Sequence, residues 1–183
     1  MPAKLVFGLI GRIGSGKTVI ANHLVEEYAA QYFRFSDVLK DILARVHKPN
    51  TRENLQNLGL SLRKTFGEGI LAETLKDDIL ESKSRVIVVD GVRYEDELRM
   101  VKGVGGRIIY VTSPDRLRYE RAVKRGTRGE AEISFDQFKV SEQKETERRI
   151  DVLGEKADYK IENTGTIEDL KANVDSIVKN FRG

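Results

Sequence analysis

Two stretches of the chain are short unbroken apolar runs, Leu5-Val6-Phe7-Gly8-Leu9-Ile10 and Val86-Ile87-Val88-Val89. Such runs suit strands covered on both faces. Between and beyond them, apolar residues recur at helical spacing. Val19, Ile20, Leu24 and Tyr28 predict a helix over about residues 17–30. Val38, Leu39, Ile42 and Leu43 predict a second, Leu55, Leu58, Leu62 and Phe66 a third, and Ile70, Leu71, Leu75 and Ile79 its continuation past Gly67 and Gly69. Tyr32-Phe33-Arg34-Phe35, Arg107–Thr112 and Ala157–Ile161 read as further strands. Helices are expected over 94–101, after Ser113-Pro114, after Ser134 and from Ile167 to Val178.

The punctuation agrees with this pattern. Ser36-Asp37, Thr51 and Thr166 stand where helix caps are needed, and Ser134 with Gln137 forms a capping-box pattern. Ser113 followed by Pro114 is a strong helix start. Strands alternating with helices imply an α/β fold, doubly wound, with a five-stranded, mainly parallel sheet and helices on both faces. Ligands of such sheets gather at the carboxyl ends of the strands.

At the first of those ends stands Gly11-Arg12-Ile13-Gly14-Ser15-Gly16-Lys17-Thr18, which fits G-x-x-x-x-G-K-[ST]. Strand, glycine loop and helix occur in the order that a phosphate-binding loop requires. The glycines let several backbone N–H groups converge on one anion, and the new helix adds its positive end. Lys17 supplies a mobile charge for terminal phosphates, and the Thr18 hydroxyl is a hard oxygen suited to Mg²⁺.

Other candidates lie after other strands. Asp37 caps a helix or binds a ligand, and one residue can do both. Asp90 ends the second apolar run; it is either a Mg²⁺-shell acid of the Walker B kind or an acid in the turn before Gly91. Arg93 follows three residues later, with a guanidinium suited to clamping phosphate. Arg63 lies just off an apolar stripe, as a substrate ligand or a solvated charge. Arg118, Arg121 and Arg125 fall at i, i+3 and i+7, on one helix face, with Arg128 in a glycine-bounded loop after them. A row of like charges repels itself unless an anion compensates, which favours a phosphate-facing cluster over a solvated face. The polar run Ser141–Arg149 predicts a mostly exposed helix, as in a lid hinged near Gly126 and Gly129.

Composition narrows the classes. The 183 residues carry 32 basic and 29 acidic side chains, a net charge of +3. That is too mild to argue for nucleic acid. The absence of cysteine excludes disulfides and thiolate metal sites, and His23 and His47 are the only histidines. No apolar run approaches a membrane span. The opening residues Met1–Leu5 run straight into the first strand, leaving no room for a leader, so a cytoplasmic location is expected.

The assembled motifs resemble the P-loop nucleoside monophosphate kinases, in their dephospho-CoA-kinase-like and adenylate-kinase-related branch. The resemblance spans nearly the whole chain. It rests on Gly11–Thr18, Phe35-Ser36-Asp37, Val89-Asp90-Gly91-Val92-Arg93, the Arg118–Arg128 run, and Ala157–Leu170. It implies a single P-loop kinase-like domain over 1–183, with an acceptor-binding helical segment over 36–81 and a lid-like segment over 121–150. It implies a transferase using ATP and Mg²⁺, with a small nucleotide-like phosphate acceptor as partner. Gly11, Ile13, Gly14, Ser15, Gly16, Lys17, Thr18, Arg121 and Asn163 would bind the nucleotide. Thr18 and Asp90 would hold the metal. Lys17 with Arg125 or Arg128 would stabilise the transferring phosphoryl, and Arg63 and Arg93 would hold the acceptor's phosphate. Lys40 stands where many monophosphate kinases have arginine. No N/T-K-x-D guanine signature is present, which argues against a GTPase.

Three functions follow as expectations. One is a kinase of nucleoside or deoxynucleoside monophosphates, with Asp37 orienting the acceptor. The second is a hydroxyl kinase of the dephospho-CoA type, with Asp37 as base. The third is a nucleotide-dependent switch or accessory ATPase that binds a macromolecule.

Overall fold

The computed structural model describes residues 4–126, 133–143 and 145–182. Five strands form one sheet: β1 (Leu5–Ile10), β2 (Gln31–Arg34), β3 (Val86–Asp90), β4 (Arg107–Thr112) and β5 (Tyr159–Glu162). Their order is β2-β3-β1-β4-β5, and all four pairings are parallel. The helices are α1 (Lys17–Tyr28), α2 (Phe35–Arg45), α3 (Arg52–Phe66), α4 (Ile70–Glu81), α5 (Glu95–Gly103), α6 (Asp115–Arg125), α7 (Phe135–Glu142), α8 (Glu145–Gly154) and α9 (Ile167–Arg182). The predicted α/β class holds, and "mainly parallel" sharpens to parallel throughout.

The unbroken apolar runs have a direct cause. Strand side chains alternate between faces, and both faces here are covered. Val6, Ile10, Ile87, Val89 and Ile108 join one core with Leu39, Leu75, Ile79, Leu98, Val101 and Ile150 of the helices. Phe7, Leu9, Val88, Ile109 and Val111 join the other with Ile20 and Leu24 of α1 and Leu170, Val174 and Val178 of α9. With no polar face to show, β1 and β3 carry no period-two pattern.

Three boundaries differ from expectation. Helix α2 begins at Phe35, so Ser36 and Asp37 are first-turn residues and not caps; the flanking Arg34 is extended and gives no side-chain cap. Buried Phe35 anchors this start by packing. Ser113 does not cap α6, whose flanking residue is Pro114; its hydroxyl donates to the Asn163 carbonyl at 2.8 Å. Strand β5 starts two residues late, after Asp158 has used its carboxylate to accept the Ile108 N–H at 2.8 Å. The caps at Thr51, Ser134 and Thr166 form as expected.

Within the run read as mostly exposed, Gln143 and Arg149 are exposed as expected, but Glu142 of α7 is buried. No helix among the described residues is long and apolar enough to cross a membrane.

Candidate functional site

The phosphate loop links β1 to α1, and close packing fixes its shape. Gly14 has φ +78°, and a Cβ there would lie 2.3 Å from the Arg118 carbonyl oxygen. Gly16 has φ +113°, and its Cβ would meet Asn163 Nδ2 at 2.4 Å. A side chain is excluded at both positions by backbone conformation and by space. Asn163, at the end of β5, also donates to the Ser15 carbonyl at 2.9 Å. The fifth strand therefore buttresses the loop. Lys17 Nζ donates to the carbonyls of Gly11 (2.6 Å) and Arg12 (3.1 Å), folding back over the loop it serves.

A cleft of about 1130 Å³ opens above the loop. Ile13, Gly14, Gly16, Lys17, Thr18, Arg63, Asp90, Arg93, Arg121, Arg125 and Asn163 all line it. The sequence-predicted residues thus converge on one space, with four exceptions. Gly11 and Ser15 are buried loop residues that do not line the cleft. Asp37 is not among the lining residues, though its neighbour Ser36 is, and its carboxylate pairs with Lys40. Arg128 lies outside the described residues.

Asp90 sits at the carboxyl end of β3 and is 5% exposed. Its Oδ2 accepts from the Tyr32 hydroxyl at 2.7 Å and from Arg34 Nη2 at 2.7 Å. Arg34 also donates to the Tyr32 oxygen. Asp90 Oδ1 is buried and has no hydrogen-bond partner. Burial alone would raise the Asp90 pKa, but Lys17's charge and the bonds from Tyr32 and Arg34 outweigh it and hold the carboxylate below its ordinary range. Burial and the Asp90 charge push the Tyr32 phenol up, so its proton stays in place.

Tyr32 and Arg34 are site residues that sequence reasoning missed. They alternate onto one face of an edge strand, and the register pairs Arg34 with Asp90. The i, i+2 spacing before a helix start was the available signal.

Farther along the cleft, Arg63 is 12% exposed and stacks over the Tyr94 ring, 4.6 Å from its centroid. Its guanidinium donates to the Glu68 carbonyl and approaches Asp96 at 3.6 Å and Glu97 at 3.7 Å. Glu97 Oε2 accepts from the backbone N–H groups of Arg93 (2.8 Å) and Tyr94 (3.3 Å). Burial pushes the Glu97 carboxyl up to about 7, against the pull of those two bonds and of Arg63. This buried acid in the wall was also missed; from sequence it reads as a first-turn helix glutamate.

The predicted arginine face divides. Arg121 and Arg125 line the cleft, and Arg121 donates to Ser113 Oγ and the Asn163 carbonyl, each at 3.2 Å. Arg118 does not. It is 3% exposed, it pairs with Glu142 of α7 and with Asp115, and it donates to the Ile13 carbonyl at 3.3 Å. Of the three guanidiniums expected to face phosphate, two line the cleft and Arg118 is turned away, because α7 packs at the edge of the stripe and supplies its anion. Arg12, inside the phosphate loop, joins this backing network through Asp151 at 2.6 Å and the Glu142 carbonyl at 3.4 Å.

Comparison with known proteins agrees with this geometry. A family model described as "AAA domain" matches residues 10–139. A UPF0200 protein of Sulfurisphaera tokodaii is 30% identical over 175 residues, covering 95% of this chain and 96% of that protein. One of Aeropyrum pernix is 29% identical, covering 93% and 90%. Among solved structures, the shikimate kinase of Bacteroides thetaiotaomicron shares the fold with a TM-score of 0.64 at 13% identity, over 96% of this chain and 98% of that one. Shikimate kinase from Acinetobacter baumannii, in complex with shikimate, gives 0.55 at 19%, over 97% and 94%. With its phosphate loop, its all-parallel sheet and these relatives, the chain belongs to the AAA domain family, alongside the UPF0200 proteins, as a P-loop domain that shares its fold with the shikimate kinases.

Proposed function

We propose that the protein is an ATP- and Mg²⁺-dependent phosphotransferase acting on a nucleoside or deoxynucleoside monophosphate. One observation carries this reading. The phosphate loop and two separated arginine pairs line a single cleft of about 1130 Å³. That exceeds the ~300–1,000 Å³ of an ordinary one-ligand pocket. The space suits a donor at the loop and an acceptor between α3 and the β3–α5 connection.

The roles follow from position. The loop N–H groups and Lys17 would bind the donor's phosphates. Arg121 and Arg125 would neutralise charge on the phosphoryl in flight, Arg128 joining them from the adjoining segment. Arg63 and Arg93 would hold the acceptor's phosphate. Asp37, paired with Lys40, would orient the acceptor from the rim. Phosphoryl transfer asks for positioning and charge neutralisation more than covalent chemistry, and these groups provide both. Residues 36–81 would form the acceptor-binding segment and 121–150 the lid that excludes water.

The residues present fit Mg²⁺. Asp90 Oδ1 is a buried carboxylate oxygen without a partner, and Thr18, which carries a hydroxyl, lines the same cleft as Asp90. The described residues hold no group of three or more His, Cys, Asp or Glu side chains that could bind a metal unaided. One carboxylate oxygen and one hydroxyl, completed by phosphates and water, suit the small, reluctantly dehydrated Mg²⁺. When bound it would supply charge neutralisation at the phosphates.

A hydroxyl acceptor would call on Asp37 as base. Its pairing with Lys40, away from the lining, counts against that reading, which predicts near-complete loss of turnover in Asp37→Asn. The direct test is ATP consumption with Mg²⁺ against a panel of nucleoside and deoxynucleoside monophosphates and dephospho-CoA, with Lys17→Ala as control. Strong stimulation by one monophosphate supports the proposal. Slow hydrolysis, indifferent to every acceptor but lost in the control, would favour the switch.

A further inference from the structure

Asp90 is held by one oxygen only. Oδ2 carries two bonds, from the Tyr32 hydroxyl and from Arg34, while Oδ1 is buried with none. The three groups form a closed triangle, since Arg34 also donates to the Tyr32 oxygen. The lock is built into the sheet. Strand β2 runs beside β3 with Tyr32 against Val88 and Arg34 against Asp90. Tyr32 packs its ring against the apolar core while its hydroxyl reaches the carboxylate.

A carboxylate can bind a cation through one oxygen or both. Ca²⁺ accepts two-oxygen binding and irregular geometry at long distances, whereas Mg²⁺ requires near-octahedral, one-oxygen contacts. With Oδ2 saturated, Asp90 offers only Oδ1.

We infer that Tyr32 and Arg34 are positioning residues that restrict Asp90 to one-oxygen coordination and so set the preference of the nucleotide site for Mg²⁺ over Ca²⁺. This rests on the nucleotide–Mg²⁺ reading above and extends it to a selectivity device on the neighbouring strand. Partners that orient a ligand typically alter metal affinity or activity by about 10–100-fold.

Arg34 brings a complication that the experiment can remove. Its positive charge weakens binding of either divalent cation, so deleting it changes affinity through charge as well as through geometry. Both cations carry the same charge, however. The ratio of Mg²⁺ to Ca²⁺ effects cancels the common part and reads the geometry.

The test measures affinity for the non-hydrolysable β,γ-imido analogue of ATP by titration calorimetry, without metal, with Mg²⁺ and with Ca²⁺. The chains are wild type, Tyr32→Phe and the double variant Tyr32→Phe/Arg34→Met. Tyr32→Phe removes only the hydroxyl and keeps the packed ring, so it reports even where the double variant folds poorly. The expected result is a Mg²⁺:Ca²⁺ ratio that falls about tenfold in the double variant, with Tyr32→Phe between it and wild type. A ratio equal to wild type in Tyr32→Phe and in any folded double variant, with metal-free binding intact, overturns this inference and leaves the proposed function standing. Failure of the wild-type chain to bind the analogue under all three conditions overturns both.

Discussion

The two ends of the cleft are built from different materials. At the phosphate loop the cleft is walled mainly by backbone, shaped by Gly14 and Gly16 and backed by the buried Arg118–Glu142 pair. At the far end it is walled by side chains, Arg63, Arg93, Tyr94 and Glu97, drawn from α3, the β3–α5 connection and the start of α5. A backbone site is made by consecutive residues and keeps its shape when side chains move. A side-chain site is assembled from distant segments and can be retuned by a single substitution. The contrast predicts that damage to the loop's support is felt in stability and turnover together, while damage at the far end is felt in acceptor binding and, at Glu97, in the pH dependence of stability, but not in binding of the donor.

The largest effect is expected where the loop's support is buried. Arg118→Met removes the nearest cation from buried Glu142 and leaves Arg12, 3.8 Å away, in reach of it. Breaking a buried pair on one side costs about 3–5 kcal/mol, and with Arg12 still present denaturant unfolding should show a loss toward the lower end of that range. Adding Glu142→Gln should return part of it. A loss under 1 kcal/mol (roughly the worth of an exposed pair) would mean that the loop stands without this support.

Next is Lys17→Ala, which keeps the loop but removes its mobile charge. Turnover should fall by about a hundredfold or more, as when one transition-state donor is lost. Unfolding should change less than in Arg118→Met, because the bonds from Lys17 Nζ to the Gly11 and Arg12 carbonyls stay within one loop.

At the far end, Glu97 gives a pH signature. Its pKa is raised by burial from 4.5 to about 7, so the folded chain holds this proton more tightly than the unfolded one. The stability that this provides is fully present below the unfolded pKa and is lost as pH rises through about 7. Between those values wild type should lose stability with rising pH relative to Glu97→Gln, by on the order of 3 kcal/mol in total. Urea unfolding of both chains across the window checks it; parallel curves would show that Glu97 ionises as freely as in the unfolded chain.

The smallest effect sharpens the contrast most. Arg63→Ala should raise the acceptor KM about tenfold, the worth of a charge-assisted contact, and leave the KM for ATP within twofold or so. Equal changes in both constants would show that the two ends are not separate.

The same contrast explains what could be read in the sequence. Gly11–Thr18 is contiguous and its residue types are dictated by chemistry, so the loop was legible. The alternation of strands and helices along the chain was legible from apolar runs and helical stripes, because burial on both faces leaves that imprint; the order of the strands within the sheet was not. The far end was not. Arg63 reads alike as ligand or as surface charge until Tyr94 and Glu97 are brought to it. Arg118 falls on the same helix face as Arg121 and Arg125, yet its anion is a glutamate 24 positions away on α7, which no local spacing announces. Tyr32 and Arg34 acquire meaning only through the β2–β3 register.

The central claim is that phosphate passes between two ligands held in one cleft. It is tested most directly by following the terminal phosphoryl of γ-labelled ATP in the presence of Mg²⁺ and each candidate monophosphate. The account predicts label on one monophosphate, with little released as inorganic phosphate and none transferred by Lys17→Ala. Label appearing only as inorganic phosphate, whichever monophosphate is present, would contradict it.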